Sequence, residues 1–138
     1  MQQHVVKGLA LVRRQAAGSK ILLVRTAANA PWSLPTAEAG ESVDQLLQAL
    51  RADLFPRTNL TQVADISRTF PLREGATSFE LVGTDADLLP YFESERFVDA
   101  RWASFEEARH IVRRDLEEVL RWSKRLLHKL PLTALIAS

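Results

Sequence analysis

The sequence contains no cysteine, so neither a disulfide nor a thiolate metal site is available to it. It also lacks an excess of charge: 18 Lys and Arg stand against 17 Asp and Glu, a formal net charge of +1. That balance offers no electrostatic case for nucleic acid or an acidic membrane surface as a partner. No apolar run approaches the roughly 20 residues that a membrane-spanning helix needs. The opening MQQHVVKG lacks the charged-then-apolar build of a secretory signal, which makes the cytoplasm the expected compartment. The five glycines are scattered, so no glycine-rich phosphate loop is present, and there is no serine-nucleophile signature. His4, His110 and His128 have no ligand-like spacing and read as surface or structural residues.

What is present suits one small globular domain. The chain has 138 residues, of which 46% are hydrophobic and 25% charged. We expect a single domain over residues 1–130 and an apolar tail over 131–138 (PLTALIAS). The tail has three readings: packed back on the domain, packed against a second subunit in a homodimer, or frayed. No internal repeat, low-complexity tract or linker interrupts the domain.

Periodicity supplies the elements. Residues 5–14 (VVKGLALVRR) and 21–25 (ILLVR) predict two strands, joined by a turn over 15–20 that carries Gly18 and Ser19. Residues 42–54 predict a helix with Ser42 as its N-cap. Val43, Leu46, Leu47, Leu50 and Leu54 form one apolar stripe, with Asp44, Gln45, Gln48 and Arg51 on the other side. Residues 63–71 and 78–84 predict two more strands around Arg73-Glu74-Gly75, and 97–103 (FVDARWA) predicts another. Ser104 then caps a helix, with Glu107 at the capping-box position. A last helix is predicted over 114–129, steadied by a Glu117–Arg121 pair at i,i+4 on a solvated face of mixed charge. This order predicts a mixed β-sheet flanked by helices on both faces, an α/β/α sandwich.

Residues 31–60 (PWSLPTAEAGESVDQLLQALRADLFPRTNL) carry the most information. They run from Trp32-x-Leu34-Pro35 through Gly40-Glu41-Ser42 into the amphipathic helix, then out through Thr58-Asn59-Leu60. That grammar resembles the Nudix box, G-x5-E-x7-R-E-U-x-E-E-x-G-U with U a bulky aliphatic. In that family the box is a loop–helix–loop whose glutamates hold divalent metal against a diphosphate. Residues 95–108 (ERFVDARWASFEEA) are similar to the strand–helix step that ends Nudix domains, with Arg101, Trp102, Ser104, Glu107 and Ala108 in place. The resemblance spans residues 5–127 and implies the MutT-like sandwich and a nucleotide or phosphorylated small molecule as partner.

Within the box the frame survives and most carboxylates do not. Both lead-in glycines are gone and two positions are deleted. Counting back from Asn59-Leu60 puts Ala52-Asp53 on R-E and Pro56-Arg57 on the paired E-E, with about three extra residues between Glu41 and Ala52. A second register places Arg51 on the motif arginine, Ala52 on its glutamate and Phe55-Pro56 on E-E. Neither restores the ligands. Hydrolysis of a pyrophosphate linkage in this family needs Mg²⁺ or Mn²⁺ to neutralise the phosphates and orient a water. Mg²⁺ in turn takes carboxylate oxygens. Three acids at i, i+3 and i+4 would share one helical face; here those positions are Asp53, Pro56 and Arg57. Proline tends to end a helix before it, and Arg57 adds positive charge where a cation would sit. No metal is therefore expected at these positions, and no cofactor unless the ligands have moved.

The candidates for a relocated Mg²⁺ or Mn²⁺ site are Glu41, Asp53 and one of Glu93 and Glu95. Acids ahead of a helix more often simply favour its positive N-terminus, which is the plain reading of Glu38 and Glu41. Arg25 is a candidate for a substrate phosphate, since guanidinium pairs well with phosphate oxygens. Trp32 is a candidate for stacking on a base, or for covering the sheet edge. Glu38 completes the ligand-binding set. Three readings follow: a Nudix-fold binding module that has lost hydrolysis, a divergent but active pyrophosphohydrolase, and a scaffold or dimerisation domain. The missing acid pair favours the first.

Overall fold

The computed structural model describes residues 5–13, 18–54, 61–73, 75–84, 88–89 and 91–129. Pro56, Arg57, His4 and the tail 131–138 lie outside the described residues. The elements in chain order are β1 (Val6–Arg13), β2 (Lys20–Arg25), α1 (Val43–Leu54), β3 (Thr61–Leu72), β4 (Gly75–Thr84), β5 (Asp99–Ser104), α2 (Phe105–Ile111) and α3 (Glu117–Lys129). A single 3-10 turn, Arg114–Leu116, precedes α3, so the helix predicted from residue 114 starts one tight turn later as α-helix.

The strands form one mixed sheet in the order β3-β4-β1-β2-β5. Among these described strands β1 and β4 pair in parallel, and the remaining pairs are antiparallel. Side chains alternate across a strand, and both faces of this sheet are buried. Leu9 and Leu11 of β1, with Leu22 and Val24 of β2, meet Leu46, Leu47, Leu50 and Leu54 of α1. Ala10 and Val12, with Ile21 and Leu23, meet Phe105 and Ala108 of α2 and Val119, Leu120 and Leu127 of α3. The expected α/β/α sandwich is therefore the observed one. Each fully buried leucine contributes about 1.5–3 kcal/mol relative to an exposed one, so the α1 stripe alone anchors the helix firmly.

One glycine is set by packing. Gly8 sits opposite Phe79 in the parallel β1–β4 register. A Cβ there would come within 2.6 Å of the Phe79 ring, which is fully buried. The helix starts are set by local hydrogen bonds. Ser42 Oγ accepts from Gln45 N at 3.1 Å while Gln45 Oε1 accepts from Ser42 N at 2.8 Å, a reciprocal capping box on α1. Ser104 and Glu107 form the same device on α2, as the sequence predicts. No helix among the described residues is long and apolar enough to cross a membrane.

The box lead-in has a place in this sheet that periodicity does not reveal. β1 and β2 are paired next to the hairpin, at Val12–Ile21 and Arg13–Lys20, and then diverge. Residues 33–37 fill the opening. Ser33 exchanges backbone hydrogen bonds with Val24 of β2 at 2.8 and 2.9 Å. Pro35 O accepts from Leu9 N at 2.9 Å, and Ala37 N donates to Lys7 O of β1 at 2.7 Å. Leu34 is buried below this segment. The chain leaves the opening at Glu38, at one end of the sheet and next to the N-terminus of α1.

Candidate functional site

A turn over residues 38–41 aims Glu41. Glu41 N donates to Glu38 O at 2.9 Å, and Gly40 at the third position has φ of +80°, which glycine adopts without strain. The Glu41 carboxylate closes the turn by accepting from Glu38 N at 3.1 Å. Its main partner comes from far along the chain. Arg96 Nη1 donates to Glu41 Oε2 at 2.8 Å, and Arg96 Nη2 donates to Glu41 Oε1. This is a two-pronged guanidinium–carboxylate pair. Arg96 Nη2 also donates to Thr36 O at 3.0 Å, and its Nε lies 3.9 Å from Glu38.

The loop that carries Arg96 is pinned to the end of α1. Ser94 Oγ donates to Asp53 Oδ2 at 2.6 Å and accepts from the backbone N–H groups of Arg96 and Phe97, both at 3.1 Å. Val98 N donates to Arg25 O at 2.9 Å, which fixes the far end of the loop on β2. The Arg96 and Glu41 side chains retain only 13% and 17% of their exposure, so water screens the pair weakly. The Arg96 hydrogen bonds hold the Glu41 carboxyl below the usual range; in return, the Glu41 carboxylate raises Arg96 above its ordinary value. Both groups are therefore charged at neutral pH.

Beside this pair lies a cavity of about 470 Å³, within the range of small-molecule sites. Val24, Pro31, Leu34 and Phe97 give it apolar walls, and Thr26, Ser33 and Thr36 are its hydroxyl-bearing residues. Its charged lining is Glu38, Glu95, Arg96 and Arg113. Arg113 is itself paired with Asp115, at 3.3 Å.

The sequence-derived candidates fall into separate places. Glu41, Glu38 and Asp53 converge on the Arg96 loop, and Glu95 lines the cavity beside it; Glu93 is exposed on the same loop. Arg25 and Trp32 form a different unit. The Arg25 guanidinium lies 4.7 Å from the Trp32 ring centroid and donates to Asp99 at 3.2 Å, with Arg101 at 5.8 Å from the same ring. Trp32 also packs against the core on the α2–α3 side, as a residue covering the sheet would. The helical pairing differs from expectation. Arg121 pairs with Glu118 at 3.0 Å, and Glu117 instead meets Arg109 at 3.5 Å, because α2 lies against the start of α3.

Sequence reasoning did not single out Arg96 or Ser94. Nothing local marks them: Arg96 is 55 residues from Glu41, and Ser94 is 41 from Asp53. Only the fold brings them together.

No family model matches the sequence, and no curated protein matches it. Solved structures do match, at low identity and over nearly the whole chain. The Caenorhabditis elegans Ap4A hydrolase in a binary complex aligns with a TM-score of 0.69 at 16% identity, covering 91% of this chain and 99% of that one. The MutT protein of Methanosarcina mazei Go1 gives 0.61 at 14%, covering 92% and 98%. The Nudix domain of Shewanella oneidensis NrtR, complexed with ADP ribose, gives 0.60 at 15%, covering 92% and 90%. The chain has the Nudix fold.

The Nudix fold raises the question of Mg²⁺ or Mn²⁺. Among the described residues no three His, Asp or Glu side chains stand together as a metal-holding group. Both oxygens of Glu41 face Arg96, and Asp53 Oδ2 is taken by Ser94. A permanent cation already neutralises Glu41, next to the cavity. These residues do not fit a divalent ion.

Proposed function

We propose that this protein is a Nudix-fold binding module, in which metal-dependent hydrolysis has been lost and a pocket for a nucleotide or phosphorylated small molecule remains. The observation that carries this reading is the Arg96–Glu41 pair. Arginine stays protonated at any physiological pH, so in the unliganded protein Glu41 is paired with a cation where a metal ligand would need a free carboxylate. The residues at the paired E-E positions, Pro56 and Arg57, cannot supply the missing oxygens. Fold by itself does not set function, so the pyrophosphohydrolase-like character of the neighbours bears on ligand class more than on activity. One of those neighbours binds ADP ribose and another is named for Ap4A. The cavity of about 470 Å³, with its apolar walls and the hydroxyl-bearing residues Thr26, Ser33 and Thr36, suits one end of such a molecule.

The test is a paired assay on the full chain. Thermal shifts are measured with ADP-ribose, dinucleoside polyphosphates, nucleotides and sugar nucleotides. Each mixture is then analysed for cleavage with Mg²⁺ or Mn²⁺ added. We expect at least one ligand to raise the melting temperature without being cleaved; at 100 times its dissociation constant, a ligand adds about 2.7 kcal/mol. Metal-dependent cleavage of any of them would instead identify an active, divergent pyrophosphohydrolase. No shift with any ligand would favour a scaffold or dimerisation role.

A further inference from the structure

We propose that Glu41 is a built-in competitor for the anion-binding face of Arg96, and that a phosphorylated ligand enters the cavity by taking that guanidinium from it. This rests on the reading of the cavity as a ligand site and names how a phosphate is recognised there.

Three observations combine. Both terminal nitrogens of Arg96 point at the two oxygens of Glu41, and a guanidinium presents the same fork to carboxylate and to phosphate. The protein's own carboxylate thus stands where two phosphate oxygens would. Arg96 also lines the cavity, so the group held by Glu41 is within reach of an occupant. The remaining charged lining offers a phosphate nothing better. Arg113 is held by Asp115, while Glu38 and Glu95 are acids that repel an anion. A phosphate therefore binds by exchange or meets a net repulsive wall.

Exchange has a cost that sets the affinity. When Arg96 turns to the ligand, Glu41 keeps only the Glu38 N–H at 3.1 Å and loses its counter-ion. Truncating or neutralising Glu41 removes that cost, so affinity for phosphate rises when this acid is removed. A catalytic or metal-binding carboxylate would give the opposite result.

The experiment is calorimetric titration of inorganic pyrophosphate into the full chain in EDTA-containing buffer, comparing wild type, Glu41→Gln and Arg96→Gln. We expect Glu41→Gln to bind at least tenfold more tightly than wild type, and Arg96→Gln to bind at least tenfold more weakly than Glu41→Gln. Equal affinity of Glu41→Gln and wild type, or undiminished binding by Arg96→Gln, would overturn the proposal. Thermal melts establish that each variant is folded at the titration temperature. A measurement without mutation guards the conclusion: the Arg96 Nε–H resonance of the wild type is expected to move as pyrophosphate is added. A fixed Arg96 signal alongside shifting cavity residues would also overturn it. EDTA removes divalent metal, so the result is independent of whether the protein hydrolyses anything.

Discussion

Two arginine–glutamate pairs in this molecule use the same chemistry and have different consequences. Arg101 reaches Glu107 at 2.8 Å across six residues, at the corner where β5 enters α2, and both side chains are roughly half exposed. Arg96 reaches Glu41 across 55 residues, at the corner where the box loop enters α1, and both side chains are largely buried. Glu107 is pulled to a low pKa mainly by its hydrogen bonds with Ser104, in which Arg101 is a lesser influence. For Glu41 the leading cause is Arg96 itself. The first pair decorates a helix cap that would stand without it. The second ties the box loop to a loop from far along the chain, beside the cavity.

The largest expected effect comes from breaking the buried pair. Arg96→Met leaves Glu41 without its counter-ion, and Asp53 and Glu38 lose a nearby positive charge. Partial burial places the expected loss at about 2–3 kcal/mol, in the range for hydrogen bonds to charged groups. Urea unfolding measures it; a loss under about 0.5 kcal/mol would show that solvent screens this corner as fully as an ordinary surface. Next comes Ser104→Ala, which removes the α2 cap and is expected to cost about 1 kcal/mol. Arg101→Ala, by contrast, is expected to leave the unfolding midpoint unchanged, since exposed ion pairs contribute little.

The two corners are also expected to differ through the pH dependence of stability. Glu41 has a folded pKa below its unfolded value, which for a free glutamate is about 4.3. Its contribution is therefore complete above that unfolded value and is lost as pH falls through the folded one. Stability measured from neutral pH downward is expected to fall less steeply below about pH 4.3 in Glu41→Gln than in wild type. Identical slopes would mean that the pair adds nothing specific to acid sensitivity.

The contrast between the two corners also explains what the sequence discloses. The Ser104–Glu107 cap spans three residues, so a local pattern encodes all of it, and the structure has it as predicted. The α1 stripe is equally local, and Leu46, Leu47, Leu50 and Leu54 are all buried where periodicity puts them. The departures from the box, at Ala52, Asp53, Pro56 and Arg57, could likewise be read position by position. Arg96 could not. Its role depends on the divergence of β1 and β2, on residues 33–37 filling that gap, and on Ser94 tying the loop to Asp53. Each of those is a tertiary event between distant segments. Trp32 illustrates the same limit from the other side: its residue type allows base stacking, but the fold places Arg25 over its ring.

We propose that a guanidinium has taken the part of a metal at this corner, and direct metal binding tests this best. Isothermal titration of Mn²⁺ and of Mg²⁺ into the wild-type protein, without added nucleotide, is expected to show no site tighter than the millimolar range. A stoichiometric site in the micromolar range would contradict the account, because Glu41 cannot serve Arg96 and a tightly held divalent cation at once.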